Sequence, residues 1–454
     1  MKKPFISIAL GLTAMFAVSC SGGSEEGGAR MEGRLTVADS VDQSGDYSGI
    51  GVTVVREDSA GAITDTLFHQ VTDSTGRFAG MAKVPAQNRY PLSITRNQSE
   101  LARVPLYLSA DDTVRVTGDL ANLQQTLDIH SREHEALELF QRMNRTIGRV
   151  RIYAQAGRIS ADSLSQEMNK WSGLYWEVYE RYPTTIAGKM AATESIRILN
   201  TQDPDSMMLR LNQVRADDDL VGLAATYGKD YLAQDQGLDH ALAYLDTLQQ
   251  MTEGSQASMR IRMERIKLLY DSARVETAQN LLTDFQNSYP DNPTARNWSE
   301  AIQYDLDYLA PGDTIPEFSF GTNGGTVSRE SLLGTPYILE ITSLASRTYQ
   351  QQFDRTVVIH SIYRNYGLQV VTLPLDESQV TIEGFFEERV QPWPVAQAGA
   401  YDRQELVNRF NIRGTPTRFL VDRQGRIVRR YVGTEFRDII QGIQTLINNE
   451  GPAS

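Results

Sequence analysis

Few residues in this sequence of 454 residues belong to a recognisable redox, nucleophilic or metal-binding pattern. The single cysteine, Cys20, leaves no intrachain disulfide, no CxxC redox pair and no cysteine-rich metal site. The sequence also lacks a G-x-S-x-G element, a phosphate-binding loop and an H-E-x-x-H motif. The histidines are scattered, which argues against a histidine metal site: His69, His130, His134, His240 and His360. The sequence therefore predicts neither a metal ion nor a cofactor.

Ser346 is a candidate nucleophile at the amino end of a predicted helix. A catalytic serine needs a base within reach and an oxyanion hole. The nearest histidine, His360, lies about four turns further along the same helix and cannot reach back. A pair of carboxylates for glycoside cleavage stays open at this point, because such pairs are assembled in space. No residue pattern singles one out, so we predict that this protein is not an enzyme.

The elements that position Ser346 belong to an α/β domain predicted for residues 309–454. Strand and helix patterns alternate there, which is typical of a parallel or mixed sheet. The predicted strands cover 337–342, 368–376, 417–422 and 426–432. The predicted helices cover 349–366, 406–410 and 436–448.

Three segments carry a family resemblance: PGDTIPEFSF (311–320), YILEITSLASRTYQQQF (337–353) and NIRGTPTRFLVDRQGRIVRRYVG (411–433). They resemble thioredoxin-like modules of the ResA/TlpA type, which implies that fold for this part of the chain. Where those modules have CxxC, this sequence has Ser346, Arg347, Thr348 and Tyr349. Disulfide exchange needs a thiolate nucleophile and a resolving thiol. We therefore expect a redox-inactive domain.

The same resemblance implies roles at two further places. Glu340 takes the position of a buried acid that assists proton transfer, and without a thiol we expect a structural or partly exposed carboxylate. Thr415-Pro416 takes the position of the family's cis-proline, where the backbone pairs with an extended substrate. The predicted vestigial groove comprises Glu340, Ser346, Arg347, Thr348, Tyr349, Thr415 and Pro416. The alternative is that Pro416 serves folding alone.

Two further domains are predicted ahead of the α/β domain. Residues 31–125 show regularly spaced short strands with polar turns, which predicts an all-β sandwich. This region resembles the β domain that precedes thioredoxin modules in Bacteroidota lipoproteins. Residues 126–308 show helical periodicity, and 262–295 resembles a tetratricopeptide unit. We expect a partly tetratricopeptide-like helical spacer, with a peptide-binding solenoid as the alternative.

The N-terminus is typical of an exported lipoprotein. Lys2 and Lys3 precede a short apolar run, and Ala17-Val18-Ser19-Cys20 resembles a lipobox. Residues 1–19 are thus a predicted lipoprotein signal peptide, Cys20 the predicted lipid (palmitate) attachment point and 20–30 a flexible tether. The alternative is an ordinary export signal. Acidic residues after Cys20 resemble the export tag of Bacteroidota surface lipoproteins, and both the surface and the periplasmic face stay open.

A tripeptide of Asp, Ser or Thr, and an aliphatic residue, Met or Thr resembles the O-glycosylation acceptor of exported Bacteroidota proteins. It occurs more often than the roughly two or three times that ordinary composition gives. The alternative is that these pairs only favour turns and helix caps. The predicted acceptors are Ser40, Ser59, Thr66, Ser74, Thr113, Ser163, Ser206, Thr247, Ser272 and Thr314.

The net charge of −13 gives this protein no electrostatic reason to bind nucleic acid. The patterns together predict a multidomain protein of the cell envelope, lipid-anchored at the outer membrane, that binds or scaffolds an envelope protein or peptide. Two rival functions stay open. One is a thiol-disulfide helper that acts with a partner's cysteines, and the other is an accessory component of a surface nutrient-uptake complex.

Overall fold

The computed structural model describes residues 27–38, 43–387, 389 and 393–450. The chain divides into two compact units, Met1–Asp203 and Pro204–Ser454. The boundary therefore falls inside the helical segment expected at 126–308, and the two halves of that segment pack on different partners. Among the described residues, no helix is both long and apolar enough to cross a bilayer.

The N-terminal unit contains a sandwich of two four-stranded sheets, ordered β4-β1-β7-β8 and β3-β2-β5-β6. Its strands are β1 Gly27–Thr36, β2 Ile50–Glu57, β3 Ile63–Val71, β4 Arg77–Val84, β5 Asn88–Arg96, β6 Ser99–Leu108, β7 Thr113–Asp119 and β8 Asp128–His130. Inward and outward side chains alternate, and the inward ones form one core between the sheets. Because β1 begins at Gly27, the last residues of the predicted 20–30 tether belong to the sheet, and β8 extends the β domain beyond residue 125.

Among its described residues this unit also contains three long helices and one short helix. Buried side chains from the three long helices form a core of their own, in which Phe140, Tyr175 and Ala191 are buried. The helices are α1 Leu123–Thr126, α2 Arg132–Gln155, α3 Ala161–Arg181 and α4 Ile186–Gln202.

The C-terminal unit begins with a series of helices, most of which contact the next one along the chain. They are α5 Pro204–Val214, α6 Val221–Leu223, α7 Lys229–Asp235, α8 Leu238–Met251, α9 Gln256–Asp271, α10 Val275–Ser288 and α11 Pro293–Tyr308. A short π-helical stretch, Ala224–Gly228, joins α6 to α7. Ala278 and Phe285 of α10 are fully buried against α9 and α11.

The α/β domain follows, with a four-stranded sheet ordered β12-β11-β13-β14. Its strands are β11 Tyr337–Thr342, β12 Gln369–Pro374, β13 Thr417–Val421 and β14 Ile427–Val432, preceded by the hairpin β9 Ser319–Thr322 and β10 Gly325–Ser328. Its helices are α12 Arg347–Tyr363, α13 Gln379–Phe386, α14 Arg403–Arg409 and α15 Ile439–Glu450. β11 pairs in parallel with β12 and antiparallel with β13. The sequence patterns predicted neither the hairpin nor α13.

Buried polar contacts join α11 to the α/β domain. Asp305 forms an ion pair of 2.6 Å with Arg430 on β14, and both side chains are largely buried. The Asn411 side-chain amide donates to the Asp305 carboxylate at 2.8 Å. Tyr270 donates its hydroxyl proton to the Leu309 carbonyl oxygen at 2.8 Å. These contacts make the helices α9 and α11 part of the same packed body as the sheet.

Candidate functional site

The amino end of α12 places Ser346 beside the loop that leads into β13. Ser346 is the N-cap residue, and its hydroxyl oxygen accepts from the Tyr349 backbone N–H at 3.4 Å. The same hydroxyl donates to the Thr415 carbonyl oxygen at 3.3 Å. The Thr415–Pro416 peptide bond is cis. Two segments far apart in sequence thus meet at the surface through Ser346 and Thr415.

The surface at this junction carries backbone donors. Ser346, Thr348 and Thr415 are half-buried, and Arg347 is exposed. Among the described residues, the backbone N–H groups of Arg347, Thr348 and Thr415 have no hydrogen-bond partner. These N–H groups are free to bind acceptors on a ligand.

Tyr349 lies beneath this surface instead of lining it, which corrects the expectation that it belongs to an open groove. Its side chain is fully buried, and its ring packs at centroid distances of 5.8 Å from Phe385 and 6.1 Å from Phe353. Burial, together with the nearby Glu340 carboxylate, raises the pKa of the Tyr349 phenol well above 10.0. Tyr349 therefore stays a neutral phenol that fills the core.

Glu340 is also fully buried, so of the two alternatives expected for it the partly exposed carboxylate is wrong, and its position agrees with a structural carboxylate. It lies directly opposite Arg418 in the register of β11 and β13. Arg418 Nε donates to Glu340 Oε1 at 2.6 Å, and neither side chain is accessible to solvent. This short charge-assisted hydrogen bond binds the carboxylate that the family resemblance assigned to proton transfer.

Neutral groups complete the surroundings of the carboxylate. The Thr372 hydroxyl donates to Glu340 Oε2 at 2.9 Å, and the Tyr349 hydroxyl points at the same oxygen from 3.5 Å. The Trp393 indole N–H donates to the Thr372 hydroxyl oxygen at 2.9 Å. With these partners the buried charge on Glu340 is compensated, as a buried ion requires.

Arg418 is held by its own set of contacts. Its Nη1 donates to Gln352 Oε1 at 2.7 Å, and its guanidinium carbon lies 3.8 Å from the ring centroid of Phe436. Its Nη2 has no hydrogen-bond partner among the described residues. Sequence reasoning missed Arg418, although a charged residue within the apolar run TRFLVD was a readable signal for a buried partner.

The arrangement separates into two layers with different chemical abilities. The upper layer consists of the half-buried Ser346 and Thr415, joined by a hydrogen bond, and of backbone N–H groups without a partner among the described residues. The lower layer has no thiol, and its carboxylate is occupied by a cation that is always protonated. His360, the histidine nearest in sequence to Ser346, has its pKa lowered by burial and packs against Trp393 at 5.5 Å between ring centroids. Within the described residues, no group of three His, Cys, Asp or Glu side chains could hold a metal ion.

The predicted modification sites differ in accessibility. Cys20 and Ser40 lie outside the described residues. Ser206 and Ser272 are half-buried, and the Ser272 hydroxyl donates to the Leu268 carbonyl oxygen at 2.7 Å. The other predicted acceptors have exposed side chains and stay predictions: Ser59, Thr66, Ser74, Thr113, Ser163, Thr247 and Thr314.

Known proteins resemble this chain over a length close to that of the α/β domain. Relatives named thiol-disulfide oxidoreductase ResA occur in Bacillus thuringiensis (strain Al Hakam), at 20% identity over 140 residues, which are 30% of this chain and 79% of the relative. In Bacillus subtilis (strain 168) the identity is 23% over 140 residues, which are 31% of this chain and 76% of the relative. In Geobacillus kaustophilus (strain HTA426) the identity is 24% over 135 residues, which are 29% of this chain and 75% of the relative. About 30% of this chain is homologous to the thioredoxin-like domain of ResA-type thiol-disulfide oxidoreductases.

The chain matches no protein-family model. Solved structures that resemble the thioredoxin-like domain include the thioredoxin domain of a thiol-disulfide oxidoreductase from Bacteroides vulgatus, at 18% identity and a TM-score of 0.28. A second is a thioredoxin family thiol:disulfide interchange protein from Chlorobium tepidum TLS, at 23% identity and a TM-score of 0.27. Each covers 30% of this chain and 98% of its own. The relatives are named for disulfide chemistry, whereas this chain has one cysteine, outside the thioredoxin-like domain.

The buried ion pair gives a direct stability test. We expect Glu340→Gln to lower the free energy of unfolding by about 3–5 kcal/mol, because it leaves the Arg418 charge buried without a counterion. We expect the double variant Glu340→Leu/Arg418→Met to lose less than Glu340→Gln, because it removes both charges. The measurement is urea-induced unfolding followed by circular dichroism.

The control is Asp239→Asn, which breaks the exposed pair of 3.0 Å between Asp239 and Arg274 in the same unit. This change is expected to cost less than about 1 kcal/mol. Equal losses in the free energy of unfolding for Glu340→Gln and Asp239→Asn would show that the buried pair stabilises the fold no more than the exposed pair does.

Proposed function

We propose that this protein is a lipid-anchored cell-envelope protein whose thioredoxin-like domain binds an extended segment of a partner protein without exchanging disulfides. The observation that carries the proposal is the contrast between the two layers of the site. Backbone N–H groups at Thr415 and in the first turn of α12 have no partner among the described residues, while the layer below is closed by Tyr349 and the Glu340–Arg418 pair.

The geometry at Thr415 favours an extended ligand. A peptide in strand conformation binds by main-chain hydrogen bonds to unpaired backbone groups and gains specificity from neighbouring side chains. The Thr415 N–H offers such a donor, and the N–H groups of Arg347 and Thr348 follow directly on Ser346, whose hydroxyl bonds to Thr415. A partner carbonyl or carboxylate oxygen suits both positions.

The residues at the two former thiol positions support the non-catalytic part of the proposal. Ser346 has no base in hydrogen-bonding contact among the described residues, since its hydroxyl bonds to the backbone of Thr415 and Tyr349. Tyr349 is a buried neutral phenol. Neither side chain can supply the thiolate that attacks a disulfide.

The anchoring part of the proposal is supported by the N-terminal sequence. The lipobox-like segment ending at Cys20 precedes β1 by only a few residues, so a lipid at Cys20 would hold the β sandwich near the membrane surface. Several acyl chains on one residue suffice for stable anchoring.

A photo-crosslinking amino acid at Ser346 tests the binding site in living cells. We expect it to capture an envelope protein through a segment that binds as an extended strand. We expect Thr415→Trp to reduce this capture about tenfold or more, because the larger side chain fills the space beside the free N–H groups. The crosslinked peptide is identified by mass spectrometry.

The matched control places the same crosslinker at Thr326, an exposed residue of β10 in the same domain. Equal capture from both positions, or capture from Ser346 that Thr415→Trp leaves unchanged, would rule out a specific groove. A captured segment that carries a reactive disulfide would favour the thiol-disulfide helper instead.

Metabolic labelling with an alkyne analogue of palmitate tests the anchor. We expect the full-length chain to be labelled and to partition into the detergent phase, and Cys20→Ala to lose both properties. Ser24→Ala, in the same tether, is expected to keep them. Labelling that survives in Cys20→Ala, or an unlabelled native chain, would refute the lipoprotein assignment.

A further inference from the structure

A cavity of about 590 Å³ opens in the β sandwich, within the N-terminal unit. It lies where strands β2, β5 and β6 run side by side. Its volume is within the range of small-molecule sites. The cavity lies outside the thioredoxin-like domain, and the function proposed for that domain does not use it. Its lining combines proline rings with arginines: Pro85, Pro91, Pro105, Arg56, Arg89 and Arg103.

Two of the prolines face each other across neighbouring strands at this cavity. Pro91 on β5 lies directly opposite Pro105 on β6, and neither has a backbone N–H to donate. Since neither proline can donate, this is a non-hydrogen-bonded pair of the antiparallel ladder, in which the two side chains lie close together on one face of the sheet. The proline rings also give the cavity an apolar wall. Because the rings are rigid, they lose little conformational entropy when a ligand binds.

The arginines make the cavity cationic in an otherwise acidic protein. Arg103 pairs with Glu57 and, at 3.5 Å, with Glu100, and Arg56 reaches Asp65 only at 4.0 Å. The side chains of both arginines are well exposed, so these ion pairs are weak and can exchange for a ligand. The guanidinium of Arg89 has no partner among the residues that the structure describes. The lining carries three arginines against one glutamate, Glu57, whereas the whole chain has a net charge of −13.

We infer that this cavity binds a small molecule in which a ring carries a carboxylate. The ring lies on the proline wall, and the carboxylate accepts a pair of hydrogen bonds from the Arg89 guanidinium. Glu57 remains in the lining and repels a doubly charged phosphate more than a singly charged carboxylate.

Binding of 4-methylumbelliferyl glucuronide to the full-length purified chain tests this assignment. The neutral 4-methylumbelliferyl glucoside has the same rings without the carboxylate. We expect saturable binding of the glucuronide and at least about tenfold weaker binding of the glucoside. We expect Arg89→Gln to weaken glucuronide binding by a similar factor, because the variant loses the guanidinium that binds the carboxylate. The measurement is a fluorescence titration.

Arg77→Gln is the matched control, since Arg77 is an exposed arginine of β4 in the other sheet, and we expect it to bind the glucuronide as the unchanged chain does. Equal affinity for glucuronide and glucoside would overturn the assignment. Failure of Arg89→Gln to weaken binding would overturn it as well. Tighter binding of 4-methylumbelliferyl phosphate than of the glucuronide would overturn the choice of a carboxylate.

Discussion

The ion pair between Glu340 and Arg418 is the constraint around which the thioredoxin-like domain is arranged. Two charges in a region without water cost several kilocalories per mole each unless each has a close partner. The strand register supplies that partner, because it places both residues opposite each other on β11 and β13. Thr372 on β12 and Gln352 on α12 supply the remaining hydrogen bonds. Three strands and one helix must therefore be in place together before the pair is compensated.

The same pair explains why the site has an accessible surface over a closed interior. Phe436 covers the Arg418 guanidinium, and Tyr349 with its aromatic neighbours covers the carboxylate. A proton carrier needs a route to the reacting atom and a pKa that lets it release the proton. Glu340 is enclosed and bound to a permanent cation, whereas Ser346 and Thr415 stay accessible. The carboxylate is thus enclosed, whereas the residues above it stay within reach of solvent.

Local sequence patterns predicted the parts of this structure that depend on neighbouring residues. Apolar runs located β11 and β13, and the N-cap position of Ser346 followed from the start of a helix. Arg418 was missed, because a strand pattern treats a charge as an outward residue and cannot show that a glutamate faces it across the sheet. Tyr349 was misplaced, because its direction depends on packing against Phe353 and Phe385, which are set by tertiary contacts. The division between α4 and α5 was missed for the same reason, since helical periodicity does not reveal which sheet a helix packs on.

The contacts of α11 bear on how this protein can change over evolution. Arg430 belongs to the sheet, yet its buried counterion, Asp305, belongs to the helix before it, and Asn411 binds that carboxylate just ahead of the cis-proline loop. A thioredoxin-like segment transferred to another protein from residue 309 onward would bring Arg430 without Asp305. The sheet and its preceding helix therefore form one structural unit, and a chain joined at residue 309 would leave Arg430 buried without its counterion.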